Sequence, residues 1–89
     1  MANEIVYVGG KEIKFYIPAA FFALSKSETI KIVARGKNVK RALDLLAILK
    51  REYLENPKDT IVVGSEKFED KWVTTLEIEL TGKRKDNRV

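Results

Sequence analysis

The stretch Ile32–Leu54, IVARGKNVKRALDLLAILKREYL, leaves the fewest choices for how this chain can fold. Ile32-Val33-Ala34 ends an apolar run of strand type, and Arg35-Gly36-Lys37-Asn38 is a basic turn with one glycine. From Val39 onward Val39, Ala42, Leu43, Leu46, Leu49 and Tyr53 recur at spacings of three and four. That spacing predicts one face of a helix of about four turns. Asn38 stands where an N-cap belongs, its side-chain oxygen in reach of a free first-turn amide. A strand that turns directly into a helix implies a layered α/β arrangement.

The charges of this turn carry the first hint of function. Lys37, Lys40 and Arg41 fall at the start of the helix, where the macrodipole already places partial positive charge. Basic residues there cost stability unless an anion arrives, and free amides beside extra Lys and Arg form a phosphate-binding device. The competing reading is a solvated basic face, and the turn alone does not decide between them.

The rest of the chain supplies the other elements. Glu4–Val8 is β-branched and aromatic, bounded by Gly9-Gly10, and reads as a short strand with Tyr7 in its core. Ile13, Tyr16, Ile17, Ala20 and Leu24 keep helical spacing through Pro18, which predicts one helix from Glu12 to Ser25, kinked at the proline. Thr29–Ala34 is the second strand. Glu55-Asn56-Pro57 stops the second helix, because the residue before proline is pushed out of helical conformation. Asp59–Ser65 and Lys71–Leu80 read as strands, the latter alternating Thr74, Leu76, Ile78 and Leu80 against Val73, Thr75, Glu77 and Glu79. Gly64–Lys71 is the hairpin arm between them, and Gly82 ends the sheet. The expected organisation is one domain, 1–82, followed by a loose basic tail, 83–89.

The order is therefore β-α-β-α-β-β, and the expected fold is a compact two-layer α+β sandwich: a mixed four-stranded sheet packed on two helices. A strand, helix and strand in one sheet form a right-handed parallel unit. Parallel strands put their C-terminal ends on one edge, where ligands bind in α/β sheets. The loops Gly9-Gly10-Lys11 and Arg35-Gly36-Lys37-Asn38 then emerge together, so Gly10, Lys11, Lys14, Arg35, Gly36, Lys37, Lys40 and Arg41 converge over two helix N-termini. The glycines let a ligand approach the backbone. On a helical wheel Phe15, Phe22 and Ile48 fall opposite the main apolar stripes, and that pattern points to a subunit interface.

Composition narrows the chemistry. A formal net charge of +4 and a pI near 9.4 favour acidic partners such as nucleic acid. Without Cys or His the chain lacks the commonest catalytic base, the usual zinc ligands and the usual triads, so neither metal nor cofactor is expected. Met1-Ala2-Asn3-Glu4 is not followed by a long apolar run, so no secretory leader or membrane span is expected and the place of action is the cytoplasm. Cys and Gln are absent while Lys, Glu and Arg abound, as in many proteins of hyperthermophiles.

Three segments together, EIVYVGGKEI, IVARGKNVKRALD and VVGS followed by VTTLEIEL, resemble the Alba family of archaeal chromatin proteins over nearly the whole chain. The resemblance implies a chromosome-associated dimer, with itself or with a paralogue, that binds double-stranded DNA and often RNA with little sequence preference. It maps the family's lysine-rich turn onto Gly9-Gly10-Lys11, its ARGR turn onto Ala34-Arg35-Gly36-Lys37, and a further basic position onto Arg41. Tyr53 falls where a relative has the Phe of a contact between dimers. Gly10 stands in place of the first of two adjacent lysines, which removes one phosphate contact and the residue subject to acetylation. The family's arm is usually longer and basic, whereas Glu66–Lys71 here is short and slightly acidic.

Other readings stand beside this one. Tyr7, Phe68 and Trp72 offer stacking surfaces for unpaired RNA bases, although core packing or a hairpin clamp also accounts for them. The apolar helix faces also suit an assembly protein. Catalysis has the least support, since Glu77 and Glu79 on a half-exposed strand lack a nucleophile and base beside them.

Overall fold

The computed structural model describes residues 4–85. Its elements are β1 (Glu4–Val8), α1 (Ile13–Lys26), β2 (Thr29–Arg35), a 3₁₀ turn (Gly36–Asn38), α2 (Val39–Ile48), a π-type turn (Leu49–Tyr53), β3 (Leu54–Phe68) and β4 (Lys71–Arg84). The sheet order is β1-β2-β4-β3, with β1 parallel to β2 and the remaining pairs antiparallel. Both helices pack on one face of this mixed sheet, as the order of elements predicts.

The core is made by alternation on the strands and spacing on the helices. Val6, Val8, Ile30, Ile32, Ala34, Leu76, Ile78 and Leu80 point toward the helices, which answer with Ala20, Ala23, Leu24, Ala42, Leu45, Leu46 and Leu49. Each fully buried Leu or Ile contributes about 1.5–3 kcal/mol by leaving water. The α2 stripe is rotated from its expected setting. Leu45 is fully buried while Leu43 is 39% exposed, because LDLLAIL offers leucines to two adjacent faces and tertiary packing selects one. Tyr7, expected in the core, lies on the other face of β1 and is 69% exposed.

Pro18 lies inside α1, which continues to Lys26. The last two strands are longer than expected. Pro57 does not delay β3 to Asp59: the strand begins at Leu54, and Pro57 occupies an irregularity between Glu55 and Lys58, where a missing N–H breaks no ladder bond. Gly82 does not end the sheet. It lets Leu54 and Pro57 approach closely, since a Cβ there would lie 3.3 Å from Leu54 Cδ1 and 3.4 Å from Pro57 Cα. Lys83 and Arg84 therefore belong to β4 rather than to a tail, Arg84 resting over the Phe21 ring at 4.7 Å. The Lys85 amide donates to the Tyr53 carbonyl at 2.9 Å. Residues 86–89 of the expected tail lie outside the described residues.

Beyond Thr75 the hairpin leaves β2 behind. The pairs from Ser65↔Thr74 to Phe68↔Lys71 form a free two-stranded ribbon of about 15 Å, closed by Glu69-Asp70. This arm gives the molecule its 53 Å long axis against 29 and 17 Å.

Candidate nucleic-acid interface

Because β1 and β2 are parallel, Gly9–Lys11 and Arg35–Asn38 leave the sheet at the same edge. Arg41 joins them directly. Its Nη1 donates to the Gly9 carbonyl at 3.0 Å and to Asn38 Oδ1 at 3.1 Å. Tyr16 fixes the first loop from below, its hydroxyl accepting the Gly9 and Lys11 amides at 2.9 and 3.1 Å. Neither fastening is visible in the sequence: Tyr16 reads as one more member of the α1 stripe, and nothing in its spacing marks the hydroxyl.

Asn38 is not an N-cap. Its backbone is already helical (φ −85°, ψ −6°) and no first-turn amide bonds to its side chain, because the 3₁₀ turn moves the helical start back to Gly36. The side-chain oxygen accepts from Arg41 instead. The helical start is left without a side-chain cap, and no acidic residue stands in its first turn.

The eight candidate positions do not form one patch, and Lys11 lines a separate hollow with Tyr7, Phe15 and Phe22. Lys37, Lys40 and Arg41 line one cleft with Ile13 and Asp44, beside the loop that carries Gly10 and Lys11. Among the described residues Lys11 and Lys37 have no carboxylate partner, whereas Lys40 is paired with Asp44 at 3.2 Å and Lys14 with Glu12 at 3.5 Å. Arg35 stands apart. It projects from the helix-free face of the sheet, beside a hollow it shares with Tyr7, Val33 and Asn38, and meets Glu66 of the arm at 3.6 Å.

The two glycines do different work. Gly36 has φ +57°, a left-handed conformation that disfavours any side chain, while Gly10 has ordinary backbone and nothing within 4 Å of an added Cβ. Gly36→Ala is therefore expected to lower unfolding free energy by about 1 kcal/mol, and Gly10→Ala to leave it nearly unchanged. Urea denaturation of the two variants measures the difference.

Of the residues assigned to a subunit interface, Phe15 and Phe22 are more than half exposed, with Lys14 and Lys26 over their rings at 5.6 and 4.8 Å. Ile48 is half-buried. Tyr53 is half-buried against the core and meets Phe21 edge to face at 5.6 Å. A further open strip, apolar along Leu43 and Ala47 of α2 and Ile61 of β3 and edged by Lys50, Arg51 and Asp59, runs between helix and sheet. No helix among the described residues is long and apolar enough to cross a membrane.

Comparison with known proteins agrees with this architecture. The chain is 30% identical over 87 residues to the "DNA/RNA-binding protein Alba" of Nitrosopumilus maritimus, covering 89% of this chain and 90% of the relative. It is 32% identical over 90 residues to the protein of the same name from Picrophilus torridus, covering 91% and 99%. Among solved structures, Alba from Thermoplasma volcanium superposes with a TM-score of 0.73 at 25% identity, covering 88% of this chain and 99% of that one. ALBA1 from Trypanosoma brucei has the same fold, with a TM-score of 0.77 at 18% identity over 92% of this chain and 71% of that one. The Alba family model matches residues 4–63, from β1 well into β3, and the chain belongs to the Alba family.

Proposed function

We propose that this chain is a sequence-indifferent nucleic-acid-binding architectural protein that takes the phosphates of double-stranded DNA on its basic edge. The observation that carries this reading is the cleft where Lys37, Lys40 and Arg41 meet at an uncapped helical start, beside a loop pinned by Arg41 and Tyr16. The names of its curated relatives agree with binding rather than catalysis. The unit acts as one nucleic-acid-binding domain on the chromosome, in the cytoplasm. It pairs with itself or a paralogue through apolar surface that the helices leave open, including Phe15 and Phe22, with Ile48 and Tyr53 at its margin.

Backbone contacts position a protein without reading sequence, so all duplexes of one length are expected to bind alike. If about five phosphates are neutralised per dimer, log affinity falls against log salt with a slope of about −4 to −5 on duplex DNA. Titrations of labelled duplexes of different sequence at several salt concentrations measure it. A slope near zero overturns the mechanism, and a strong preference for one sequence overturns the backbone-contact model.

RNA is the second reading, on the same edge. Tyr7, Phe68 and Trp72, which core packing would have hidden, are each more than 60% exposed.

A further inference from the structure

The hairpin arm carries two aromatic rings that the fold does not use. Phe68 is 62% and Trp72 69% exposed, on a ribbon that no third strand extends among the described residues and that meets the Gly36 turn at its base, near Val73. Elsewhere Phe15, Phe21 and Phe22 each have a Lys or Arg over the face, whereas Tyr7, 69% exposed on β1, has none among the described residues. Among the described residues neither arm ring has such a partner. Lys67 stands across the ladder from Trp72, and Lys71 across from Phe68, so each bare ring has an ammonium group within one cross-strand step.

An aromatic face with a cation beside it matches a nucleotide whose base is free to stack and whose phosphate lies next to it. We propose that the arm binds unpaired nucleotides, stacking their bases on Phe68 and Trp72. This rests on the basic edge proposed above, because the arm continues from it. Glu66, which meets Arg35, shares a strand face with Phe68 one alternation further out, about 7 Å along the ribbon. A single strand held at Arg35 thus reaches Phe68 on that face, while Trp72, paired with Lys67, stands on the opposite face of the ribbon and takes a base of a strand that wraps the arm. Duplex DNA fits the arm less well. Glu69 and Asp70 put two carboxylates at its tip, and Glu66, Glu69 and Asp70 against Lys67 and Lys71 leave the arm with a net charge of −1. A minor groove about 6 Å wide, lined by phosphates, repels that tip and is narrow for an indole, whereas unpaired bases splay outward and present their faces.

Trp72 is the only tryptophan in the chain, so its emission reports the arm alone. The experiment titrates the protein with a single-stranded RNA, a single-stranded DNA of the same sequence, and the corresponding DNA duplex, following emission and, separately, affinity by anisotropy of labelled ligand. Single strands are expected to quench Trp72 and the duplex to bind without quenching. The double variant Phe68→Ala/Trp72→Ala is expected to lose about tenfold or more in single-strand affinity with little change on duplex. Both side chains lie outside the core, and Trp72→Phe, which keeps a ring, is expected to retain most of the affinity. Tighter binding of RNA than of DNA assigns a contact to the 2′-hydroxyl, and equal binding assigns the arm to unpaired strands of either kind. Single strands that bind without quenching Trp72 overturn the proposal, as does equal loss on duplex and single strand. In either case duplex binding leaves the basic edge standing. A wild-type protein that binds none of the three ligands at low salt overturns the basic edge as well.

Discussion

Replacing Lys11 and Lys37 together by Ala is expected to weaken duplex DNA binding by about a hundredfold at 50 mM salt. Each neutralised phosphate releases close to one counterion, so each lost contact removes about 0.9 from the salt slope, and its share of affinity grows as salt falls. These two lysines are chosen because neither has a carboxylate partner among the described residues, so their charge is fully available to a ligand. Arg35→Ala is expected to do less, since Glu66 already opposes its charge at 3.6 Å on an exposed surface. Glu66→Gln is expected to act in the opposite direction, raising duplex affinity severalfold and steepening the slope by about one as Arg35 becomes free. Gly10→Lys adds a cation where an added side chain meets no neighbour, and is likewise expected to strengthen binding. Affinity and salt slope measured together for the four variants distinguish phosphate contact from loss of fold, because only the former changes the slope by whole contacts. A Lys11→Ala/Lys37→Ala protein with unchanged slope would remove the cleft from the interface.

The sequence was most legible where local pattern and topology say the same thing. The parallel β1–β2 pair follows from a crossover helix between two short apolar strands, and that pairing brings the Gly9 carbonyl within reach of Arg41. The sequence was least legible where the outcome depends on a partner distant in the chain. Glu66 is separated from Arg35 by a helix and a strand, so its ion pair appears only once the arm is folded. Asn38 had the right residue type and position for a cap, but Arg41 one turn on competes for the same oxygen and the 3₁₀ turn makes the cap unnecessary. Pro57 marks the end of a helix through its effect on the residue before it, and that local rule does not show that a strand begins at Leu54 and passes the proline through an irregular pairing. Tyr7 reads as core because EIVYV is apolar on both faces, and nothing in such a run says which face the helices cover.

The same ambiguity in α2 yields a prediction with a large effect on stability. Leu45→Ala is expected to lower unfolding free energy by about 2–5 kcal/mol, and Leu43→Ala by less than about 1 kcal/mol. Leu45 has no exposed surface and packs within the cluster that includes Ile32, Leu49 and Ile78, so truncation removes several methyl and methylene contacts and leaves a cavity between helix and sheet. Small domains have only about 5–15 kcal/mol of stability to lose, so the first variant approaches the limit of folding while the second stays near wild type. Leu43 stands at the rim, 39% exposed, beside the strip shared with Ala47 and Ile61. Urea denaturation followed by far-ultraviolet circular dichroism compares the two directly. Equal losses at every protein concentration would mean that α2 does not present Leu45 to the sheet, and with it would go the placement of Lys37, Lys40 and Arg41, which the same helical rotation sets. If instead Leu43→Ala is mild at high concentration but costly on dilution, Leu43 is buried by a second chain, and the strip along α2 and β3 is where the chains meet.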